Sequence, residues 1–198
     1  EFTKNLNKKK KQSLLKTGNP LDIDILNQER VRLADILRNQ GYFYFSKDYI
    51  AYEIDSNFAN KTANLHLKIN EPIDGNGHQK FTINDVFVYT NYSIIDKDKV
   101  VKQDTLIDDG YFFVADKHNF RTRVLKTGIF FEKDKKFKLQ DYYDTKRKFA
   151  NFGTFRFIDV EFKDVSASTG ENELDVHVYL TPAKKQSMSI QVEGNQNT

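Results

Sequence analysis

The sequence predicts an α+β protein in which one folding unit is written twice, and three observations predict it. Leu15-Lys16-Thr17-Gly18 returns as Leu125-Lys126-Thr127-Gly128. Asn39-Gln40-Gly41-Tyr42-Phe43-Tyr44-Phe45 is matched by Asn151-Phe152-Gly153-Thr154-Phe155-Arg156-Phe157. Leu65-His66-Leu67-Lys68-Ile69, closed by Pro72, is matched by Val176-His177-Val178-Tyr179-Leu180, closed by Pro182. The anchors keep their order at offsets of 110, 112 and 111 residues, and drifts this small belong in loops, as expected of tandem units.

In the first copy, Asn5 to Lys16 lacks Pro and Gly and carries Leu6, Leu14 and Leu15, so a short basic helix ending at Thr17-Gly18 is expected. Next, Ile25, Leu26, Leu33, Ile36 and Leu37 recur at helical spacing, with Glu29, Arg30, Arg32 and Arg38 on the other side. Pro20 blocks this helix upstream, Asp22 or Asp24 caps its first N–H groups, and Gly41 ends it, which places it over residues 23–40. Beyond Gly41 the period becomes two. Ile50, Tyr52 and Ile54 alternate with polar or small residues, as do Leu65, Leu67 and Ile69, and the turn formers over 55–64 join them as a hairpin.

The second copy opens with an extra strand over 80–89, where Phe81, Ile83, Val86 and Val88 alternate with one phase slip, as at a bulge. A hairpin around Asp109-Gly110, near 105–114, is inserted before the first helix. The helices are expected over 120–126 and 139–152. Ile158, Val160 and Phe162, then Val176, Val178 and Leu180, form the last two strands around the loop 165–172. Each unit is thus a β-α-α-β-β module: a three-stranded mixed sheet with two helices packed on one face, the first unit lacking its opening strand. The expected division is a partial domain over 1–73, a linker over 74–79 and a complete domain over 80–184. A sheet covered on one face leaves the other wet, and the alternate positions His66, Lys68, His177 and Tyr179 are polar or amphipathic accordingly.

Composition narrows the function classes. With 38% hydrophobic and 14% aromatic residues over 198, the chain supports packed cores, so disorder is excluded. The absence of Cys excludes disulfides, zinc–thiolate sites and cysteine nucleophiles. A net charge of +3 is the small difference of 31 basic and 28 acidic side chains, a mixed surface rather than a nucleic-acid footprint. No apolar run approaches the roughly 20 residues of a membrane-spanning helix. Glu1-Phe2 is followed by polar and basic residues without the apolar centre of a signal peptide, and both ends read as cuts from something longer.

The strand-helix-helix-strand-strand order, with Gly-x-Phe ending the second helix, resembles the polypeptide-transport-associated (POTRA) domain. Such domains stand in tandem ahead of the membrane barrel in BamA-like and TamA-like outer-membrane assembly proteins. Three segments are similar to the last periplasmic domain of the Bacteroidetes-type members: Phe120-Arg121-x-x-Val124-Leu125; Phe149-x-x-Phe152-Gly153-x-Phe155-x-Phe157-x-x-Val160-x-Phe162; and Leu174-Asp175-Val176-x-Val178-x-Leu180-Thr181-Pro182. The resemblance covers about residues 13–190 and is strongest from 120 onward. Residues 185–198 are similar to the lead-in to a first barrel strand. The resemblance implies a periplasmic, non-catalytic part of an outer-membrane β-barrel assembly or translocation protein. Its expected partners are unfolded outer-membrane clients or accessory assembly subunits, with no cofactor, nucleic acid or small-molecule substrate.

The residues with chemical potential are weighed against simpler roles. His66 and His177 are equivalent in the two copies, but neither has further ligands at metal spacing, and zinc needs three or four donors. His78 and His118 lack them too. Asp96-x-Asp98 starts like a calcium loop, but Val100 stands at the next ligand position and no Gly follows. No Ser sits in a Gly-flanked nucleophile turn, and no phosphate-binding Gly-rich loop exists. Lys8 to Lys11 reads as the solvated side of the short helix. Phe155 and Phe157 are read as closing over the helix ends, and without the basic-Gly-aromatic signature an RNA-binding sheet is a remote alternative. Asn60-Lys61-Thr62 and Asn91-Tyr92-Ser93 match a glycosylation pattern, and Asp104-Thr105-Leu106 resembles a Bacteroidetes O-glycosylation sequence.

What remains is backbone chemistry. The first strand of each hairpin is expected at a sheet edge, whose unpaired N–H and C=O groups an extended client completes as an added strand. The binding residues expected are Tyr49, Ala51, Glu53 and Asp55 on the first edge, and Arg156, Asp159, Glu161 and Lys163 on the second. The alternative is a scaffold that binds no client and recruits a secretion or division partner.

Overall fold

A computed structural model of the chain describes residues 12–57, 59–73, 75, 77–93 and 104–183. The first helix, α1 (Ile23–Arg38), begins where the Asp22 side chain accepts hydrogen bonds from the N–H groups of Asp24, at 2.7 Å, and Ile25, at 3.3 Å. It buries Leu26, Leu33, Ala34, Ile36 and Leu37. Gly41, at φ +104°, turns the chain out of the helix in the left-handed region. A 3₁₀ turn, Lys47–Tyr49, leads into β1 (Ile50–Asn57), which pairs antiparallel with β2 (Thr62–Ile69), from Ile50↔Ile69 to Asn57↔Thr62. This hairpin forms a two-stranded sheet. Ile50 joins Leu37, Tyr42 and Phe45 in a small core, whereas Ile54 and Leu67 farther along are exposed.

Glu29 on α1 is nearly fully buried and accepts four hydrogen bonds. Ser13 Oγ and the Leu14 N–H donate to it at 2.7 and 3.0 Å, and Arg32 donates through two nitrogens at 2.7 and 2.6 Å. The segment ahead of α1 is fastened there as an irregular strap. Residues 13–16 are therefore not the end of a helix, and the rest of that expected helix, with Lys8 to Lys11, lies outside the described residues.

The second unit is larger. It runs β3 (Thr82–Tyr89), β4 (Asp104–Asp108), β5 (Tyr111–Ala115), α2 (Thr122–Lys126), α3 (Leu139–Asn151), β6 (Phe155–Asp164), the one-turn helix α4 (Ser166–Thr169) and β7 (Glu173–Pro182). Its sheet has five strands in the order β4-β5-β3-β7-β6. The expected sheet of three is its β3-β7-β6 half, with β3 and β7 parallel, β7 and β6 antiparallel, and the expected bulge between Ile83 and Val86. The inserted hairpin is the difference: β5 pairs parallel to β3 and extends the sheet rather than standing apart from it. Phe113 of β5, opposite Val88 in register, lies in the core with Val86 and Val88, and Ala115 two residues on is buried on the same side of the strand, which gives the hairpin an apolar face to bury.

One face of this sheet packs on α2 and α3 through Leu125, Leu139 and Phe149, closing over Val86, Val88, Val160, Leu174, Val176, Val178 and Leu180. Full burial of one such side chain contributes about 1.5–3 kcal/mol. The segment after Gly41 enters the same core. Phe43 meets Phe81, Phe137 and Phe162 edge-on with ring centres 6.0, 5.0 and 5.4 Å apart, and Gly41 C=O accepts from Phe81 N–H at 2.8 Å. Asn39 Oδ1 accepts from Gln140 N–H at 2.7 Å, satisfying a free donor in the first turn of α3, and Tyr44 O–H donates to Asp164 at 2.8 Å. The two units are joined by these contacts as well as by the chain.

Candidate functional site

β6 has a single neighbour, β7, so its outer side carries backbone donors and acceptors without a strand partner among the described residues. Ten residues long, it is a long edge by the standard of globular sheets. Beyond the bulge between Phe155 and Phe157 its residues divide by parity: Val160 is buried and Phe162 packs toward the helices, while Glu161 and Lys163 are exposed, and Arg156, within the bulge, is exposed as well. Asp159 is half-buried and its Oδ1 lies 3.2 Å from Lys146 Nζ on α3. The acidic side chains flanking the edge oppose indiscriminate pairing with another copy.

The four residues expected on the first edge divide differently. Ala51, Glu53 and Asp55 lie on β1, whose described strand neighbour is β2, and Glu53 pairs with Lys68 at 3.1 Å. Tyr49 closes the 3₁₀ turn ahead of the strand, its ring beside Phe45 and His78. The strand itself starts at Ile50, and just ahead of it the Tyr49 carbonyl accepts from the Asn70 N–H at 2.8 Å.

The sheet face away from the helices is not the wet polar surface that alternation predicts. His66 and Lys68 are exposed on β2, but His177 and Tyr179 are half-buried in a layer of aromatic rings. His177 stacks on Phe87 with centres 5.0 Å apart and planes at 10°, and Phe87 stacks on Phe112 at 4.9 Å. Tyr179 stacks on Tyr89 at 4.9 Å, and Tyr89 Oη lies 3.2 Å from His177 Nδ1. Burial holds His177 below the ordinary imidazole range against the opposing pull of Asp175 and Glu161, so the layer is uncharged at its centre near neutral pH. Burial, with Glu161 and Tyr89 nearby, pushes the Tyr179 phenol up to about 12. Phe155 does close over the helices, against Phe120 and Phe149. Phe157 does not: the bulge between Phe155 and Phe157 turns it to the aromatic face, beside Tyr92. Sequence reasoning missed this layer because its members come from β3, β5, β6 and β7.

His118 approaches Asp104 at 3.7 Å, and His78 contacts the Asn70 carbonyl at 3.0 Å. Among the described residues no group of three or more His, Asp and Glu is placed to hold a metal ion; Asp96 and Asp98 lie outside them. Asp104-Thr105-Leu106 is exposed on β4, the other edge of the sheet. No helix among the described residues is long and apolar enough to cross a membrane.

No protein-family model matches the chain, and no curated protein does. Solved structures do. POTRA domains 3–5 of BamA from Haemophilus influenzae superpose with a TM-score of 0.52 at 13% identity, over 89% of this chain and 57% of that one. BamA from Haemophilus ducreyi lacking POTRA domains 1–3 superposes with a TM-score of 0.57 at 10% identity, over 87% of this chain and 26% of that one. The chain has the POTRA fold, and it spans little more than half of the first of these structures and about a quarter of the second.

Proposed function

We propose that this chain is the periplasmic POTRA region of an outer-membrane β-barrel assembly or translocation protein. It is a non-catalytic platform that takes up an extended segment of an unfolded client or accessory subunit as an added strand. The observation that carries the reading is β6, a long strand whose strand partner among the described residues is β7 alone. Main-chain hydrogen bonds make such capture tolerant of sequence, which suits a protein handling many clients. Arg156, Asp159, Glu161 and Lys163 flank the added strand, and Ala51, Glu53 and Asp55 flank the corresponding edge of β1. The parent protein is embedded in the outer membrane.

Hydrogen exchange with and without a urea-denatured outer-membrane β-barrel protein, diluted into buffer beside the chain, tests this. Amides of β6 gain protection, while those of β4 at the opposite edge do not. A β6 that exchanges identically in the presence of saturating client rules out capture there and favours the scaffold reading. Proline at Asp159 or at Glu161 in the full-length protein supplies the cellular counterpart, with lowered assembly of outer-membrane proteins expected.

A further inference from the structure

The aromatic layer on the helix-free face is ordered in rows. Register places Ile107, Phe112, Phe87, His177 and Glu161 side by side across β4, β5, β3, β7 and β6. The next row is Thr105, Val114, Tyr89, Tyr179 and Asp159. The stacked rings are 4.9–5.0 Å apart, which is the spacing of neighbouring strands, and their planes are within 24° of parallel. Rings that repeat at the strand spacing with parallel planes stand upright on the sheet. They cover each other's faces and turn their edges outward. Ring edges carry the positive end of the aromatic quadrupole, and the partner they favour is another ring laid with its face across them.

The charges around the rows have a sign. Glu161 ends the first row, is exposed and has no ion-pair partner among the described residues. Asp175 lies on the same face of β7, two residues from His177, with Lys163 opposite it in register. Asp159 ends the second row and is engaged by Lys146. The carboxylates outnumber the one amine in register with them, which disfavours a phosphate backbone and favours a cation beside the rings.

We propose that this face is a second docking surface, distinct from the β6 edge, for a protein segment that presents an aromatic side chain next to arginine or lysine. The aromatic ring lies across the upright edges of Phe87, Phe112 and His177, and the cation meets Glu161. Side chains rather than main-chain hydrogen bonds carry the recognition, so the surface selects by composition where the edge does not. The inference stands apart from the strand-addition reading because it needs no free backbone group.

A hexapeptide of phenylalanine-arginine-proline repeated twice tests it, since its prolines prevent it from adding to a strand. On addition to the full chain, the ring resonances of Phe87, Phe112, His177 and Tyr179 shift, and affinity falls about fivefold or more in Glu161→Lys. The counterpart with glutamate in place of arginine shifts nothing. Shifts confined to β6 amides, equal binding of the glutamate peptide, displacement of the peptide by oligouridylate, or pairing of two copies through this face would each overturn the proposal. A variant with Phe112→Ala gives a second reading that leaves the charges untouched, and unchanged affinity there counts against the rings. Failure of client to protect β6 leaves all of these outcomes unaffected.

Discussion

The ring of Phe149 lies so close to Gly128 that a β-carbon at residue 128 would stand 2.8 Å from two of its carbon atoms. Phe149 is fully buried and wedged between α3 and the sheet, so it has no room to retreat. Gly128→Ala should therefore destabilise the chain by about 1–3 kcal/mol through overpacking. Calorimetry reads this as a lowered Tm, and Phe149→Leu in the same chain should recover part of the loss. The equivalent Gly18 has nothing within 4 Å of the added carbon, so its replacement acts only through its φ of +90°.

Acid should loosen the strap ahead of α1. Burial pushes the Glu29 carboxyl up, but hydrogen bonds from Arg32, the Leu14 N–H and Ser13 outweigh it and hold the pKa below 4.5. A carboxylate depressed in the folded state contributes stability that is present above its unfolded pKa and lost as pH falls through the folded value. Urea melts at about pH 7 and about pH 3 should show a smaller pH effect in Glu29→Gln than in the parent chain. Equal pH dependence in the two would show that Glu29 is not the group responsible.

Phe43 should act as a latch between the units. Phe43→Ala removes its edge contacts with Phe81, Phe137 and Phe162. The ring is half-buried, so a cost of about 2–3 kcal/mol is expected, below the ~3–5 of a fully buried ring. Residual dipolar couplings in the two units should then stop fitting one alignment frame, more so when Asn39→Ala also removes the acceptor of Gln140 N–H. A single frame in the double variant would show that other contacts fix the orientation.

Alkali should destabilise the chain before its tyrosines ionise in the folded state. Burial is the first cause that holds Tyr44, Tyr52 and Tyr179 up to about 12, with Asp164, Glu29 and Glu161 respectively adding to it. The unfolded chain releases these protons near 10, so above that pH the folded state binds more protons and stability falls as pH rises. Absorbance titration of the folded chain should show a late-ionising group of tyrosines, and Asp164→Asn should bring Tyr44 earlier.

The order of elements in the second unit was legible along the chain because it depends on local signals, whereas the edge position of β6 followed from the strand arrangement expected of the whole unit. Alternation at Ile158, Val160 and Phe162 marks a strand, and Asp22 ahead of an apolar stripe marks a helix start. The strap at Ser13 and Leu14 carries the local signals of a helix because the acceptor that holds it, Glu29, is 15–16 residues away on α1. Nothing near Tyr49 in the sequence marks the 3₁₀ turn that it closes, because the cap of that turn is a single side-chain contact, Ser46 Oγ accepting from Asp48 N–H at 3.2 Å.

The sequence by itself determined the repeat, the β-α-α-β-β order of the complete unit and the core-facing positions of its strands, such as Val160, Val176 and Val178, since each follows from near neighbours in the chain. The tertiary structure alone decided that β5 lies parallel beside β3, that Phe43 crosses into the second core, and that His177 and Tyr179 stand in an aromatic layer. Alternation tells a side chain which face it occupies but not which strand lies next to it. Strand neighbours are chosen by the packing of the whole sheet, and Phe112, Phe87 and His177 meet only once it has formed.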